Sequence, residues 1–408
     1  MREGSVFQRH TTHCPRAEDG SWRPHKCRGS WSYYIDLGRG YDGKRRQASR
    51  AGFRSKTEAV AALRAVQRFS DEGNDHAPNL LVGTYLENWL TSKRSLRPST
   101  RQAYRSHLDL YLLPRLGHLT LQGLRPHHID RFFAEVAGGT RKPLSSASLH
   151  RLHATLRSAL ASAVKRRLIS NNPASHVELP SRERVMEAVW TVEDVHRFLT
   201  YVADDRLAAL YRVAIVTGLR RGELVGLRWL DIDLVAGAIR VVQQVVQLGT
   251  QLHLGRPKTR SGERLVAVDL TTVALLEAHR ERQRREQEAW GSAWHQTGHV
   301  FTYQDGHVLQ PDYVTHKFRR DARRAGLPSI RFHGLRHTSA SLALAAGVPM
   351  KVVSDRLGHS TTTITADLYS HVLPVVARDA ADAIGALFET AEQQSSSKSL
   401  ANPSATSD

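Results

Sequence analysis

The chain reads as a multidomain protein: a small β-sheet plus helix N-terminal module, an all-α middle domain, and a mixed, mainly α C-terminal domain with a small β-sheet. Three observations lead there. The stretch "GSWSYYIDLGRG" (Gly29 to Gly40) alternates around aromatic and β-branched residues and is followed by one helical segment. From Leu80 to about Glu178 the apolar residues keep helical spacing. After about Met186, helical stretches enclose two strand-like runs. A length of 408 residues is enough for two or three domains. The 40% hydrophobic fraction is adequate for ordinary cores.

The charge is the first functional signal. A formal net charge of +19 and a pI near 10.4 exceed anything folding needs, and self-repulsion works against them. A polyanionic partner follows, with nucleic acid the commonest, and a membrane surface is the rival. No apolar run reaches transmembrane length, and "MREGSVFQRHTTHC" lacks a signal-peptide core. The expectation is a soluble, cytoplasmic protein. Two cysteines make no disulfide framework.

The elements follow in chain order. The leader carries His10, His13, Cys14, His25 and Cys27. Its cysteines stand alone rather than in a Cys-x-x-Cys pair, so it reads as a flexible polar leader, with a zinc site as the alternative. "GSWSYYIDLGRG" and "KRRQASRAGF" flank a turn and suggest two or three short strands. "SKTEAVAALRAVQRF" has Ser55 as a cap and Glu58 at the capping-box position of a helix. After the polar linker "DEGNDHAPN", "LVGTYLENWLTSKR" places Leu81, Tyr85, Trp89 and Leu90 on one helix face. "RPSTRQAYRSHLDLYLLPRLG" reads as a helix capped by Ser99 or Thr100 and ended at Pro114. "RPHHIDRFFAEVAG" is a third helix. "SASLHRLHATLRSALASAVKRRLI" is a fourth, with Leu149, Leu152, Leu156, Ala159 and Ala163 as its stripe.

In the last domain, "WTVEDVHRFL" starts a helix with Thr191 and Asp194 as a short capping box. "DRLAALYRVAIVTGLRRGELVGLRWLDIDL" is helical until Thr217-Gly218. "GAIRVVQQVVQL" and "RLVAVDL" read as strands joined by "GTQLHLGRPKTRSGE". The tail "AEQQSSSKSLANPSATSD" is polar and reads as disordered.

Four places in this domain gather basic or nucleophilic groups. "TGLRRGEL" sets Arg220 and Arg221 at a helix-to-helix corner. "GRPKTRSGE" carries Lys258 near the tip of a strand-turn-strand. "RFHGLRHTSASLALAAG" puts His333 and Arg336 three apart on one face of a helix buried by the apolar run behind them. "RLGHSTTTITADLYSHV" brings in His359 and Tyr369. Each alone has an ordinary structural reading. Tyr369 by itself is a core aromatic with its hydroxyl at the surface. Together they form a set with a chemical logic. Phosphodiester transfer places charge on the non-bridging oxygens, which arginine forks match bidentately while staying charged. Fixed donors aimed at such charge are often the largest catalytic contribution. A tyrosine with an ordinary pKa of about 10 needs cationic surroundings or a base before it attacks. A lysine can protonate the leaving oxygen.

These residues resemble the tyrosine recombinase family, the phage and mobile-element integrases, in order and spacing over about Leu80 to Thr390. The family's first arginine corresponds to Arg220, with Glu223 as its acidic supporter. Its hairpin lysine corresponds to Lys258, its His-x-x-Arg pair to His333 and Arg336, its next histidine to His359 and its nucleophile to Tyr369. The resemblance implies residues 1–75 as an arm-type DNA-binding module with its leader and 80–180 as a helical core-binding domain. It implies 186–390 as the catalytic domain, with 391–408 a disordered tail.

The resemblance also implies a mechanism. The two larger domains clamp double-stranded DNA from opposite sides. Tyr369 forms a 3′-phosphotyrosyl link and releases a 5′ hydroxyl. Arg220 and Arg336 hold the non-bridging oxygens. Lys258 protonates the leaving oxygen, His333 assists proton transfer, and His359 donates a hydrogen bond to the phosphate. The 5′ hydroxyl of a partner strand then attacks the phosphotyrosine, so no ATP, metal or other cofactor is expected. Four protomers would assemble as a homotetramer on core and arm attachment sites in the bacterial nucleoid, with an accessory directionality factor as a further partner. The segment after Pro374, with Val376, Ala380, Ile384, Leu387 and Phe388, would pack on a neighbour or on its own protomer. Two alternatives remain at this stage: a type IB topoisomerase-like activity, and a non-catalytic DNA-binding regulator on the same fold.

Overall fold

The computed structural model describes residues 4–10, 12, 14–21, 23, 29–39, 45–71, 80–139, 143–181, 188–257, 260–359, 361, 363, 385 and 386. Lys258, Tyr369 with its neighbours, the segment around Pro374 and the 391–408 tail lie outside them, as do His13, His25 and Cys27. The chain divides into two compact units, Met1–Arg184 and Val185–Asp408. Among the described residues no helix is long and apolar enough to cross a membrane.

The first unit opens with three antiparallel strands in the order β1 (Gly4–Gln8), β2 (Trp31–Arg39), β3 (Arg45–Phe53). Strand β1 corrects the expectation of a flexible leader. Its order comes from a non-local partner, with Val6 opposite Tyr33 and Gln8 opposite Trp31, and "GSVFQ" is too short to announce a strand. Of the leader's soft ligands, His10 and Cys14 are described, and no group of three metal-ligating side chains forms among the described residues. Tyr33, Ile35, Ala48 and Phe53 bury one sheet face against Ala59, Leu63 and Val66 of α1 (Lys56–Asp71). Ser55 Oγ accepts from the Glu58 N–H at 3.1 Å. The Glu58 carboxylate accepts from the Arg54 N–H at 3.0 Å, one residue before the position a capping box uses.

The helical part contains α2 (Val82–Ser92), α3 (Pro98–His107), α4 (Leu113–Leu116), α5 (Pro126–Ala137) and α6 (Ser146–Lys165). Tyr85, Trp89 and Leu90 are buried as expected. Leu81 is 42% exposed, because it is the N-cap of α2 rather than part of its face. The cap of α3 also differs from expectation. Arg97 is the N-cap and Pro98 takes the first turn, where its missing N–H costs nothing. Nor does Pro114 end the helix. A π-helical turn, Leu108–Leu112, leads into α4 with Pro114 in its first turn. Proline cannot donate to the Leu110 carbonyl, which accepts from Arg115 Nη1 at 3.4 Å instead. The expected stripe of α6 is fully buried, and Tyr85 Oη donates to the Ala159 carbonyl at 2.7 Å.

The second unit is built around α8 (Ala208–Thr217). Ala209, Leu210, Tyr211, Val213, Ala214, Ile215 and Thr217 are buried, so this helix is apolar nearly all round, as a central helix must be. Before it comes α7 (Val192–Tyr201), closed by the expected Thr191–Asp194 capping box. After it come α9 (Arg221–Val225), the strands β4 (Ile232–Asp233), β5 (Ala238–Val241), β6 (Gln244–Leu248), β7 (Gln251–Gly255) and β8 (Arg264–Ala267), and α10 (Leu270–Trp290). Helices α11 (Pro311–Arg324), α12 (Gly334–Ala345) and α13 (Met350–Leu357) follow. The run "GAIRVVQQVVQL" is two strands, not one. β5 lies between β4 and β8, whereas β6 pairs with β7 in a separate hairpin. The break falls where Gln243 Nε2 turns to the Gly226 carbonyl at 2.8 Å. The tip of the observed hairpin is therefore at Gly249–Thr250, and Lys258 falls in the connection from β7 to β8.

Burial also sets a pH dependence. His279 of α10 is 4% exposed, lies beside Phe301 and Trp229, and hydrogen-bonds the Val300 carbonyl through Nε2 at 2.8 Å. Burial pushes its pKa down to about 4, and the same cause, followed by Arg336, Arg220 and Arg264, brings His359 to about 4. Between about 4 and the ordinary value of 6.5 the unfolded chain holds the extra protons. Stability is therefore complete above that ordinary value and is lost as pH falls toward 4. Thermal melts from pH 4 to 7 should show a rising midpoint, with a shallower rise for His279→Gln. An equal slope in both proteins would contradict this.

Candidate active site

The site forms where the C-terminal ends of α8 and α13 come together. Helix α8 stops at Gly218, which has a left-handed φ of 62° and donates to the Ala214 carbonyl at 3.0 Å. A Cβ there would stand 2.5 Å from Leu357 Cδ2, so close approach of α13 requires glycine as much as the backbone angle does. Leu219 then anchors in the core, 2% exposed, and Arg220 begins α9 in an extended conformation. Glu223 Oε2 accepts from the Arg220 N–H at 3.0 Å, and its Oε1 accepts from Arg220 Nη1 at 2.7 Å. Arg221 points elsewhere, donating to Thr315 Oγ1 at 2.6 Å and to Asp312 Oδ1 at 3.0 Å.

Helix α13 ends in a Schellman motif. Gly358 has a φ of 67° and donates to the Asp355 carbonyl at 3.0 Å, and His359 N–H donates to the Ser354 carbonyl at 3.1 Å. This explains "LGH": the glycine turns the chain and the histidine emerges at a fixed place. Three successive carbonyls at this helix end each accept from a different arginine. Arg264 Nε donates to Arg356 O at 2.6 Å, Arg336 Nη2 to Leu357 O at 2.7 Å, and Arg220 Nη2 to Gly358 O at 3.3 Å. Arg336 Nη1 also donates to Gly218 O at 2.8 Å, tying the two helix ends together. Arg356 adds a bond from Nη2 to Val216 O at 3.1 Å. The negative ends of two helix dipoles thus hold the cations in place. These two carbonyl bonds help to compensate burial of the Arg336 guanidinium, which leaves the residue 4% exposed.

The electrostatics follow from this packing. Burial alone would raise the Glu223 carboxyl, but Arg264 and then Arg220 reverse the effect and hold it below the usual carboxylate range. His359, with its pKa near 4, is a neutral imidazole at pH 7, able to donate one hydrogen bond without adding charge. His333 is the exposed residue immediately before α12, and its ring lies 5.2 Å from that of His337 one turn on. The structure thus brings Arg220, Glu223, Arg336 and His359 into one cluster, with His333 one helical turn from Arg336. Lys258 and Tyr369 are outside the described residues.

Three members were not read from the sequence. Arg264 and Arg356 look like surface charges, and His337 has no spacing partner of its own. A signal for Arg264 was present. In β8 it shares a face with buried Val266 while Leu265 is 67% exposed, and an arginine on a buried strand face must be paired.

A cluster of fixed arginines beside a neutral histidine suits an anionic phosphodiester, and the chain's likeness to known proteins points the same way. Residues 189–374 match the phage integrase family, 22–68 the arm DNA-binding domain, and 81–136 the phage integrase N-terminal SAM-like domain. The chain thus carries a phage integrase family domain behind arm DNA-binding and SAM-like domains, and its relatives are named tyrosine recombinases and integrases. The chain is 28% identical over 378 residues to the tyrosine recombinase XerC-like protein of Caldanaerobacter subterraneus subsp. tengcongensis, covering 87% of this chain and 95% of that one. It is 28% identical over 369 residues to an integrase of Streptomyces ambofaciens, covering 88% and 94%. Its fold is similar to that of the Tn1549 transposon integrase solved in complex with a circular intermediate DNA. The TM-score is 0.63 at 19% identity, over 75% of this chain and 99% of that chain.

Proposed function

We propose that this recombinase cuts and rejoins DNA strands at specific sites through a 3′-phosphotyrosyl intermediate on Tyr369, so integrating or excising a mobile element. The observation that supports it most is the set of three arginines on three successive carbonyls at the end of α13, beside neutral His359. In this reading Arg220, whose side chain is 34% exposed, meets a non-bridging oxygen of the scissile phosphate. Arg336 supplies fixed charge behind it, and His359 donates a hydrogen bond. His333, exposed at the start of α12, assists proton transfer. Lys258 protonates the leaving 5′ oxygen. The bond energy is kept in the phosphotyrosyl link and returned when a partner strand's 5′ hydroxyl attacks, so the cycle runs without ATP or a metal ion.

The partners follow from the same reading. The N-terminal sheet binds arm-type sites, the helical part binds core sites, and four protomers assemble on two DNA duplexes, with an accessory factor setting direction. Neither a topoisomerase-like activity nor a non-catalytic regulator gains support from the relatives above.

The test is covalent trapping on a library of nicked duplexes, in which the strand released by cleavage diffuses away. Adducts should form on a narrow set of sequences in the presence of EDTA and without nucleotide. DNA affinity should fall linearly on a log–log plot with salt concentration, as counterion release requires. Binding without any adduct across the library, or adducts that need a divalent ion, would count against the proposal.

A further inference from the structure

We propose that Arg264 is a positioning residue for strand cleavage, keeping Glu223 from neutralising Arg220. The inference rests on the strand-transfer reading above and concerns a residue that does not touch DNA in it. Arg264 has a side chain only 7% exposed, and all three of its guanidinium nitrogens are engaged. Nε donates to the Arg356 carbonyl at 2.6 Å, Nη1 to the Gly262 carbonyl at 2.9 Å, and Nη2 to Glu223 Oε2 at 3.0 Å. It therefore joins the end of α13, the turn before β8 and the start of α9. Gly358 makes room for it, since a Cβ there would lie 3.0 Å from Arg264 Nη1.

The charge count gives the role its chemistry. Glu223 is 1% exposed and shares its carboxylate between two arginines. One carboxylate between two guanidiniums leaves one positive charge over. Because Arg264 is buried and fully engaged, the surplus charge is presented by Arg220, which is 34% exposed. Without Arg264, Glu223 would pair with Arg220 alone and the corner would carry no net charge. The carboxylate would also lose one of its two cationic partners in a buried place, where a single partner compensates poorly. Arg220 would then be drawn toward Glu223, and a displacement of about 1 Å at a phosphate-binding group costs roughly 100-fold in rate.

Single-turnover cleavage distinguishes this from a simple packing role. Two nicked duplexes carrying the site recovered by trapping are compared, one with a natural scissile phosphate and one with a methylphosphonate, which lacks the negative charge. Arg264→Met should cleave the phosphate roughly 100-fold more slowly than the unaltered protein. It should cleave the methylphosphonate within a few-fold of the unaltered protein. Arg264→Lys, which returns a cation beside Glu223, should recover most of the rate on the phosphate. Equal losses on both duplexes in a folded Arg264→Met, wild-type rates on both, or a lysine variant as slow as methionine would each overturn the proposal. If Arg264→Met does not fold, Arg264→Gln takes its place with the same expectations. Adduct formation by the unaltered protein tests the strand-transfer reading itself, so failure of that reading and failure of the Arg264 role appear in different reactions.

Discussion

Tyr369→Phe is expected to abolish covalent attachment to DNA while leaving site-specific binding intact. The change removes one oxygen and keeps the ring. Nothing else in the proposed cycle can replace the hydroxyl, because the arginines and lysine carry no lone pair at neutral pH and neutral His359 is assigned to donate a hydrogen bond. The loss should therefore be complete rather than partial. Gel-shift affinity for the trapped site should stay within a few-fold of the unaltered protein. An adduct that forms at any comparable rate with Tyr369→Phe would remove this residue from the chemistry.

Arg336→Met is the second large effect, and it should act on both rate and stability. Removing a fixed cation that stabilises developing charge typically costs about 10²–10³ in rate. The structural cost is separate. The Gly218 and Leu357 carbonyls lose their Arg336 donors at the junction of α8 and α13, each loss costing about 1–3 kcal/mol. Methionine fills much of the same volume, so the destabilisation reports mainly those unmade bonds. Urea melts should show a lower midpoint with little change in slope, and single-turnover cleavage at saturating DNA should show the rate loss. A variant with normal stability would mean that the two carbonyls find other donors, and a normal rate would mean that Arg336 is only a strut.

Legibility in the sequence followed the range of each signal. "TGLR" was readable because the helix break at Thr217-Gly218 leaves a local mark, and the structure shows Gly218 in the left-handed conformation, as it does Gly358, whereas "LGH" stood out only in company with the other motifs. The Thr191 capping box and the α6 stripe were equally local. What escaped depended on distant partners. Strand β1 exists because β2 pairs with it, and "GAIRVVQQVVQL" hides its division because both halves favour strand while belonging to different sheets. The π-turn ahead of Pro114 sits in an apolar run that fits an unbroken helix or one cut at the proline. Arg264 was the most consequential omission. Its spacing says little, and only the shared carboxylate of Glu223, 41 positions upstream, shows why it is there.

Peptide mapping of the trapped adduct reports whether the phosphate held beside Arg220 is attacked by Tyr369. Trypsin should release the segment from Leu357 to Arg378, "LGHSTTTITADLYSHVLPVVAR", which contains one tyrosine. After nuclease trimming, tandem mass spectrometry should place a nucleotide 3′-phosphate on Tyr369 within that peptide. The same nucleotide mass on any other residue, or on any other peptide, would mean that Tyr369 is not the nucleophile.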